Sequence, residues 1–344
     1  MAQQMSPSQL RALLSATIPA KLPVLITGAP GIGKTDIVID ESKAAQNDII
    51  VSHPVVADPT DAKGLPWVSE GAEHASFLPF GELHQAIHAT RPTVWFLDDL
   101  GQGSNAVQAS FMQLILARRI NGHKISDHVV FIAATNGRQH RAGVSGILEP
   151  VKSRFKTIIE LVVSIDDWSK WAIANNIPVE LIAFLRMRPD LLHDFNATAD
   201  IVNSPSPRTW NNLADLQKLN LPAHIEAATY SGSVGEGAAT EYLAFLKMYR
   251  QMPSIDGILT APSSAIIPTE ASALYAVSTA LAYKANENNL GRIFEYLARL
   301  NAKGNAEFSA LTIRDALQRK PELSHSHEYI KAMSGEFGSI ISGN

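Results

Sequence analysis

No cysteine occurs in the 344 residues, which excludes disulfides and thiolate chemistry and leaves the compartment open. A basic surplus is missing too. Against 29 Lys and Arg stand 33 Asp and Glu, a formal charge of −4, so nothing draws the whole chain to nucleic acid or to an anionic membrane. A polyanion would have to be met by a local patch. No apolar run approaches the roughly 18–20 residues that span a bilayer. The opening Met1-Ala2-Gln3-Gln4-Met5-Ser6-Pro7 has no basic stretch followed by an apolar core, so no export signal is read there. Repeats, heptad seams and low-complexity tracts are also lacking. The expectation is a soluble cytoplasmic protein with no membrane partner.

What is present suits a globular chain: 46% hydrophobic and 18% charged residues, in a length that accommodates two domains or three. The chain is organised around one stretch. The apolar run Val24-Leu25-Ile26-Thr27 leads into Gly28-Ala29-Pro30-Gly31-Ile32-Gly33-Lys34-Thr35, with Asp36 after it and a helix expected from Lys34 to Gln46. Strand, glycine-rich loop and helix in this order make a phosphate-binding loop. Glycines let the backbone turn its N–H groups inward, and the helix adds the positive end of its dipole. Lys34 would reach the β- and γ-phosphates and the Thr35 hydroxyl would hold Mg²⁺.

Further strands are expected at Ile49–Val56, Thr93–Leu97, Val129–Ala134 and Lys156–Val163, with helices at Ser8–Ala16, Gly81–Ala89 and Ala106–Arg119. Alternating strands and helices mean a doubly wound parallel α/β sheet. Asn121-Gly122 between short β-like flanks marks a hairpin. Residues 58–91 read as an irregular insertion. After Ser164 helical segments dominate, and Ser231–Gly237 reads as an internal linker.

Four more features bear on chemistry. Val94–Leu97 ends in Asp98-Asp99: Asp98 sits where it would complete the Mg²⁺ shell beside Thr35, and Asp99 where it would orient an attacking water. Asn136 follows a buried strand, at the carboxyl edge where open α/β sheets bind ligands. Arg154 precedes the last strand. Arg208 follows Ser206-Pro207, a helix cap and its first residue. Guanidinium groups at such places would stabilise charge on a transferring phosphoryl group; an exposed ion pair is their ordinary alternative.

Taken in order, Gly28–Thr35, Asp98-Asp99, Ala134-Thr135-Asn136, Arg154 and Ser206-Pro207-Arg208 resemble the AAA+ ATPases, in their MoxR-like branch, over residues 10–260. There the matching elements are Walker A, Walker B, sensor 1, arginine finger and sensor 2. The resemblance implies a doubly wound P-loop NTPase domain over residues 1–163, an all-α lid over 164–260 and a C-terminal helical extension over 261–344. It implies ATP and Mg²⁺ as ligands and a homo-oligomeric ring, usually a hexamer. Arg154 would then reach a neighbouring subunit's ATP, and Arg208 its own. It further implies a partner protein to be remodelled, one with a von Willebrand factor A-type domain by family analogy, and it matches the insertion and the Asn121-Gly122 hairpin to segments facing a pore or partner. One departure stands out: the family usually has Glu where this chain has Asp99, a side chain one methylene shorter. A nucleotide-gated scaffold with little hydrolysis and a nucleic-acid-handling ATPase are the alternatives. His84 with His88, and His325 with His327, lack a metal-binding pattern. Arg118, Arg119, Lys124, Arg138 and Arg141 are read as solvated surface.

Overall fold

Strands that are apolar on both faces belong in a parallel sheet covered by helices on each side. The computed structural model describes residues 3–68, 70–71, 73–137, 146–195, 200–252 and 254–342. It divides into two compact units, one running to Ser164, the other taking Ile165–Phe195 and the chain from Asp200 on.

The first unit begins with β1 (Gln3–Met5), α1 (Pro7–Thr17), β2 (Val24–Gly28), α2 (Lys34–Ala44) and β3 (Asp48–Ser52). The irregular region holds α3 (Pro59–Lys63), the hairpin β4 (Leu65–Trp67) and β5 (Ser76–Leu78), and α4 (Gly81–Ile87). Then come β6 (Thr93–Leu97), a 3-10 turn at Leu100–Gln102, α5 (Asn105–Ala117), β7 (Arg119–Ile120), β8 (His123–Lys124), β9 (Val129–Asn136), α6 (Glu149–Lys152) and β10 (Thr157–Leu161). Six of the strands form one parallel sheet in the order β1-β10-β2-β9-β6-β3.

Period-two alternation assigns the two faces. Leu25, Trp95, Leu97, Phe131 and Ala133 join a core with Ala62, Leu83, Phe111 and Leu114 of α3, α4 and α5. Their neighbours Val24, Ile26, Val94, Phe96, Val130 and Ile132 join Leu10, Leu14, Ile37 and Val38 of α1 and α2 on the other side. The sheet is doubly wound, the expected fold class. From β2 the chain moves out to β3 on one side, while β9 leads to β10 on the other, so neighbouring β2 and β9 part in opposite directions. Ligands bind at the carboxyl ends of such a pair, in the crevice the diverging connections leave. Asn121 and Gly122, with φ of 48° and 87°, supply the two left-handed residues of a tight β7–β8 hairpin.

The second unit is helical among its described residues. It comprises α7 (Ile165–Ala174), α8 (Val179–Met187), α9 (Pro207–Lys218), α10 (Ala223–Val234), α11 (Glu236–Arg250), α12 (Ile255–Thr260), α13 (Ala271–Lys284), α14 (Leu290–Asn301), α15 (Ala306–Arg319), α16 (His327–Met333) and α17 (Glu336–Ser342), with 3-10 turns at Pro189–Leu192 and Pro321–His325. The expected linker at 231–237 is instead the end of α10 and the start of α11, joined at Gly235 alone. There φ is +88°, and a Cβ would stand 2.9 Å from the Asn203 carbonyl oxygen. Burial of Tyr230, Val234, Ala239 and Tyr242 holds both helices through a stretch whose glycines and serines favour a loop. Residues 261–344 do not separate from 164–260 either: α13 packs on α8, and Arg186 of α8 pairs with Asp315 of α15. Among the described residues no helix is long and apolar enough to cross a membrane.

Candidate functional site

The loop between β2 and α2 runs through Gly31 and Gly33 at φ of 75° and 92°, which only glycine adopts without strain. At Gly28 an added Cβ would lie 2.7 Å from the Leu161 carbonyl oxygen and 2.8 Å from Ile32 Cδ1, so the loop presses on the end of β10. Ala29 and Ile32 turn into the core, and Asp36 is exposed in the first turn of α2. Gly33 occupies the N-cap and offers no side chain to that turn. The positive end of the helix therefore faces the loop without a built-in acceptor, which is the arrangement that receives an anion.

Three strand ends converge beside it. Lys34 is 7% exposed, and its Nζ donates to the Gly28 and Ala29 carbonyl oxygens at 3.2 and 2.7 Å and to Asn136 Oδ1 at 2.8 Å. Asn136 Nδ2 donates in turn to Asp99 Oδ1 at 3.1 Å. The ammonium on one side and the carboxylate on the other fix the amide's orientation, because a flip would set donor against donor. Register reinforces the arrangement, since Gly28 and Asn136 are direct partners across β2 and β9. Thr35 Oγ1 donates to Asp98 Oδ2 at 2.9 Å. Lys34, Thr35, Asp98, Asp99 and Asn136 are thus brought together.

Asp99 stands in a left-handed conformation, φ 56° and ψ 38°, one that Asp tolerates better than most side chains. The backbone turn delivers its short carboxylate to Asn136. A hydroxyl and a carboxylate at Thr35 and Asp98 are hard oxygen donors that fit Mg²⁺. Among the described residues no three His, Asp or Glu side chains gather as a metal cage. Mg²⁺ needs none where one or two carboxylates and substrate phosphates complete its shell.

Neither arginine takes part in these hydrogen bonds. Arg154, half-buried just beyond α6, donates from Nη1 to Ser153 Oγ at 2.9 Å, and its Nε is buried without a partner. Arg208 is exposed in the first turn of α9, in the second unit. Of the basic residues read as surface, Arg138 and Arg141 lie outside the described residues. Lys124 pairs with Asp127 at 2.7 Å, and Arg118 donates to the Ser126 carbonyl oxygen. His88 Nδ1 lies 2.9 Å from the His84 carbonyl oxygen, an ordinary within-helix contact. Sequence reasoning passed over Gln108, fully buried on α5. Its signal was there to read: a polar side chain on the apolar face formed by Val107, Phe111, Leu114 and Ile115.

No protein-family model and no curated protein matches the chain. Solved structures that resemble it include a mutant of RuvB from Thermotoga maritima, at 15% identity over 80% of this chain and 82% of that one, with a TM-score of 0.41. The Thermotoga maritima RuvB Holliday junction branch migration motor gives 15% over 80% of each chain, with a TM-score of 0.38. NtrX from Brucella abortus in complex with ADP gives 13% over 94% of this chain and 65% of that one, with a TM-score of 0.42. Likenesses of this degree concern the course of the chain; the chemistry rests on the site's own geometry.

Proposed function

We propose that the first unit binds ATP with Mg²⁺ and hydrolyses it. The observation that carries this reading is the hydrogen-bonded chain Lys34–Asn136–Asp99 beside Thr35–Asp98, at the uncapped start of α2. Lys34 would exchange the carbonyls of Gly28 and Ala29 for phosphate oxygens, which as anions accept more strongly. Thr35 and Asp98 would hold Mg²⁺, whose contribution is to neutralise charge on the phosphates. Asp99, steadied by Asn136, would orient the attacking water and draw off its proton. The rest of the loop, Gly28 to Thr35, would cradle the phosphates.

The wider assignment follows the sequence resemblance: a MoxR-like AAA+ motor that assembles as a homo-oligomeric ring and remodels a partner protein. In it Arg154 would act on a neighbouring subunit's nucleotide and Arg208 would sense the bound phosphate. Purified protein tests the core of the reading: ATP and Mg²⁺ should yield phosphate, and sizing should find a larger assembly with nucleotide than without. Binding without turnover, with or without a partner, would favour the scaffold alternative that Asp99 in place of Glu keeps in play. A persistent monomer under ATP and Mg²⁺ would remove the role in trans from Arg154.

A further inference from the structure

Gln108 is 0% exposed and uses its whole amide. Both Nε2 hydrogens are donated, to the Gly103 and Gly146 carbonyl oxygens at 3.0 Å each, and Oε1 accepts from the Leu148 N–H at 3.0 Å. These partners lie on two segments that are distant in sequence. Gly103 closes the turn that starts at Asp99, through Gln102 N–H to the Asp99 carbonyl and Gly103 N–H to that of Leu100. Leu148 opens the arm to Arg154, its carbonyl accepting from Val151 and Lys152 and that of Val151 accepting from Arg154 N–H. Along this route from Asp99 to Arg154 the chain and its backbone hydrogen bonds make every connection except the crossing between the two segments, which the Gln108 side chain makes.

We propose that Gln108 is a positioning residue that couples the Asp98-Asp99 turn to the arm carrying Arg154. The inference rests on the hydrolysis reading above and adds to it a route between a subunit's own site and the arginine it would present to a neighbour. Packing alone does not need this residue. Val107 and Phe111 beside it on α5, and Ile147, Val151 and Phe155 along the arm, already close the same core. A methionine would fill the Gln108 space, and only an amide of this length both donates twice and accepts once across the gap.

The test is steady-state kinetics on the full chain with Gln108→Met, and with Leu148→Pro, which removes the N–H partner at a position whose φ of −58° already suits proline. Either variant should lower kcat about 10- to 100-fold, the scale of a 1 Å misplacement, and change KM for ATP less than about threefold. Added to Arg154→Ala, Gln108→Met should lower kcat no more than about twofold further, because the route already ends at a missing side chain. Losses that multiply, or a kcat within about twofold of wild type in both single variants, overturn the proposal. Hydrogen exchange over residues 146–155, with and without ADP and Mg²⁺, keeps it separate from the hydrolysis reading. Nucleotide should slow exchange there in the wild type, and Gln108→Met should abolish the response while ADP still binds. A response that survives in the variant overturns the coupling. Wild-type protein that binds nucleotide without turning it over overturns the hydrolysis reading alone, and the exchange result then decides the coupling.

Discussion

In the first unit the buried Lys34 ammonium donates to two loop carbonyls and one amide oxygen. In the second, the buried Arg186 guanidinium meets both carboxylate oxygens of Asp315, with Nη2 2.9 Å from Oδ1, and its Nε donates to Ser169 Oγ at 3.2 Å. The Arg186 and Asp315 side chains are 10% and 5% exposed. The bidentate pair satisfies a charge with its opposite, in a geometry that leaves no better partner for water or ligand to offer. The three acceptors of Lys34 are neutral oxygens, and phosphate oxygens, as anions, accept more strongly. On the proposed reading, burial serves structure in one unit and ligand binding in the other.

Breaking each cation should therefore produce opposite losses. Lys34→Ala should reduce ATP turnover on the order of a thousandfold, as removing a main charge-stabilising donor does, while the thermal midpoint moves little. Turnover assayed beside a melting curve reads both, and a variant that keeps its rate would remove Lys34 from the site. Arg186→Met should do the reverse. It strands the Asp315 carboxylate inside the second unit, at a cost of about 3–5 kcal/mol, and leaves the nucleotide affinity of the folded protein unchanged. Denaturant titration measures the cost. Restoring neutrality with Arg186→Met and Asp315→Leu together should recover most of it. If the double variant stays as unstable as the single one, the pair contributes more than mutual neutralisation.

Tyrosine sharpens the same contrast. All seven tyrosines lie at or beyond residue 230, so phenol ionisation acts on the second unit alone. Burial pushes Tyr230, with nearby Glu226 adding to the effect, up to about 12, Tyr249 and Tyr296 likewise to about 12, and Tyr242 well upward. A raised phenol pKa means that the fold favours the neutral form. Its stabilisation is whole below pH 10, the ordinary value, and is lost as the pH climbs through about 12. The phenolate absorbance of Tyr230, Tyr242, Tyr249 and Tyr296 should rise late and together with loss of helix in the second unit, while hydrogen exchange of β2, β6 and β9 stays slow over the same range. Tyrosines that all titrate near pH 10 with the helices intact would contradict the burial argument.

The contrast also explains what could be read from the sequence. The sheet was legible because Val24–Gly28, Thr93–Leu97 and Val129–Asn136 are apolar on both faces, a pattern that needs no partner to be recognised. The loop was legible because glycines at 31 and 33 answer a local backbone demand. β1 was not: three residues, Gln3–Met5, become a strand only by pairing with β10, more than 150 residues away. The β4–β5 hairpin escaped notice because Leu65, Trp67, Phe77 and Leu78 remain exposed and no alternation of burial marks it. In the second unit the signals failed at Ser231–Gly237, where tertiary packing overrides weak helix formers, and at the 260/261 boundary, which α8 and α13 close over. Gln108 showed in the sequence only as a polar side chain on an apolar helix face. Its meaning lies in what it joins, and neither Gly103 nor Gly146 is near it in any periodic pattern.

The smallest expected effect concerns Asp99, the departure from the pattern of the AAA+ ATPases that the sequence resembles. If reach were set by side-chain length alone, Asp99→Glu would restore a missing methylene and speed hydrolysis. The structure argues otherwise. Asp99 reaches Asn136 through a left-handed backbone, φ 56°, which a longer acid accepts less readily, and its Oδ1 already lies 3.1 Å from Asn136 Nδ2. An extra methylene must fold back or displace Asn136, and through it Lys34. Asp99→Glu should therefore slow turnover by about three- to tenfold, within the range that small misplacements produce, with KM nearly constant. Asp99→Asn, which removes the charge and keeps the length, should fall much further. A Glu variant faster than the wild type would show that the backbone turn does not compensate for the shorter side chain. The slower catalyst would then be the natural sequence, and its site would be closer to the gated scaffold than to the motor.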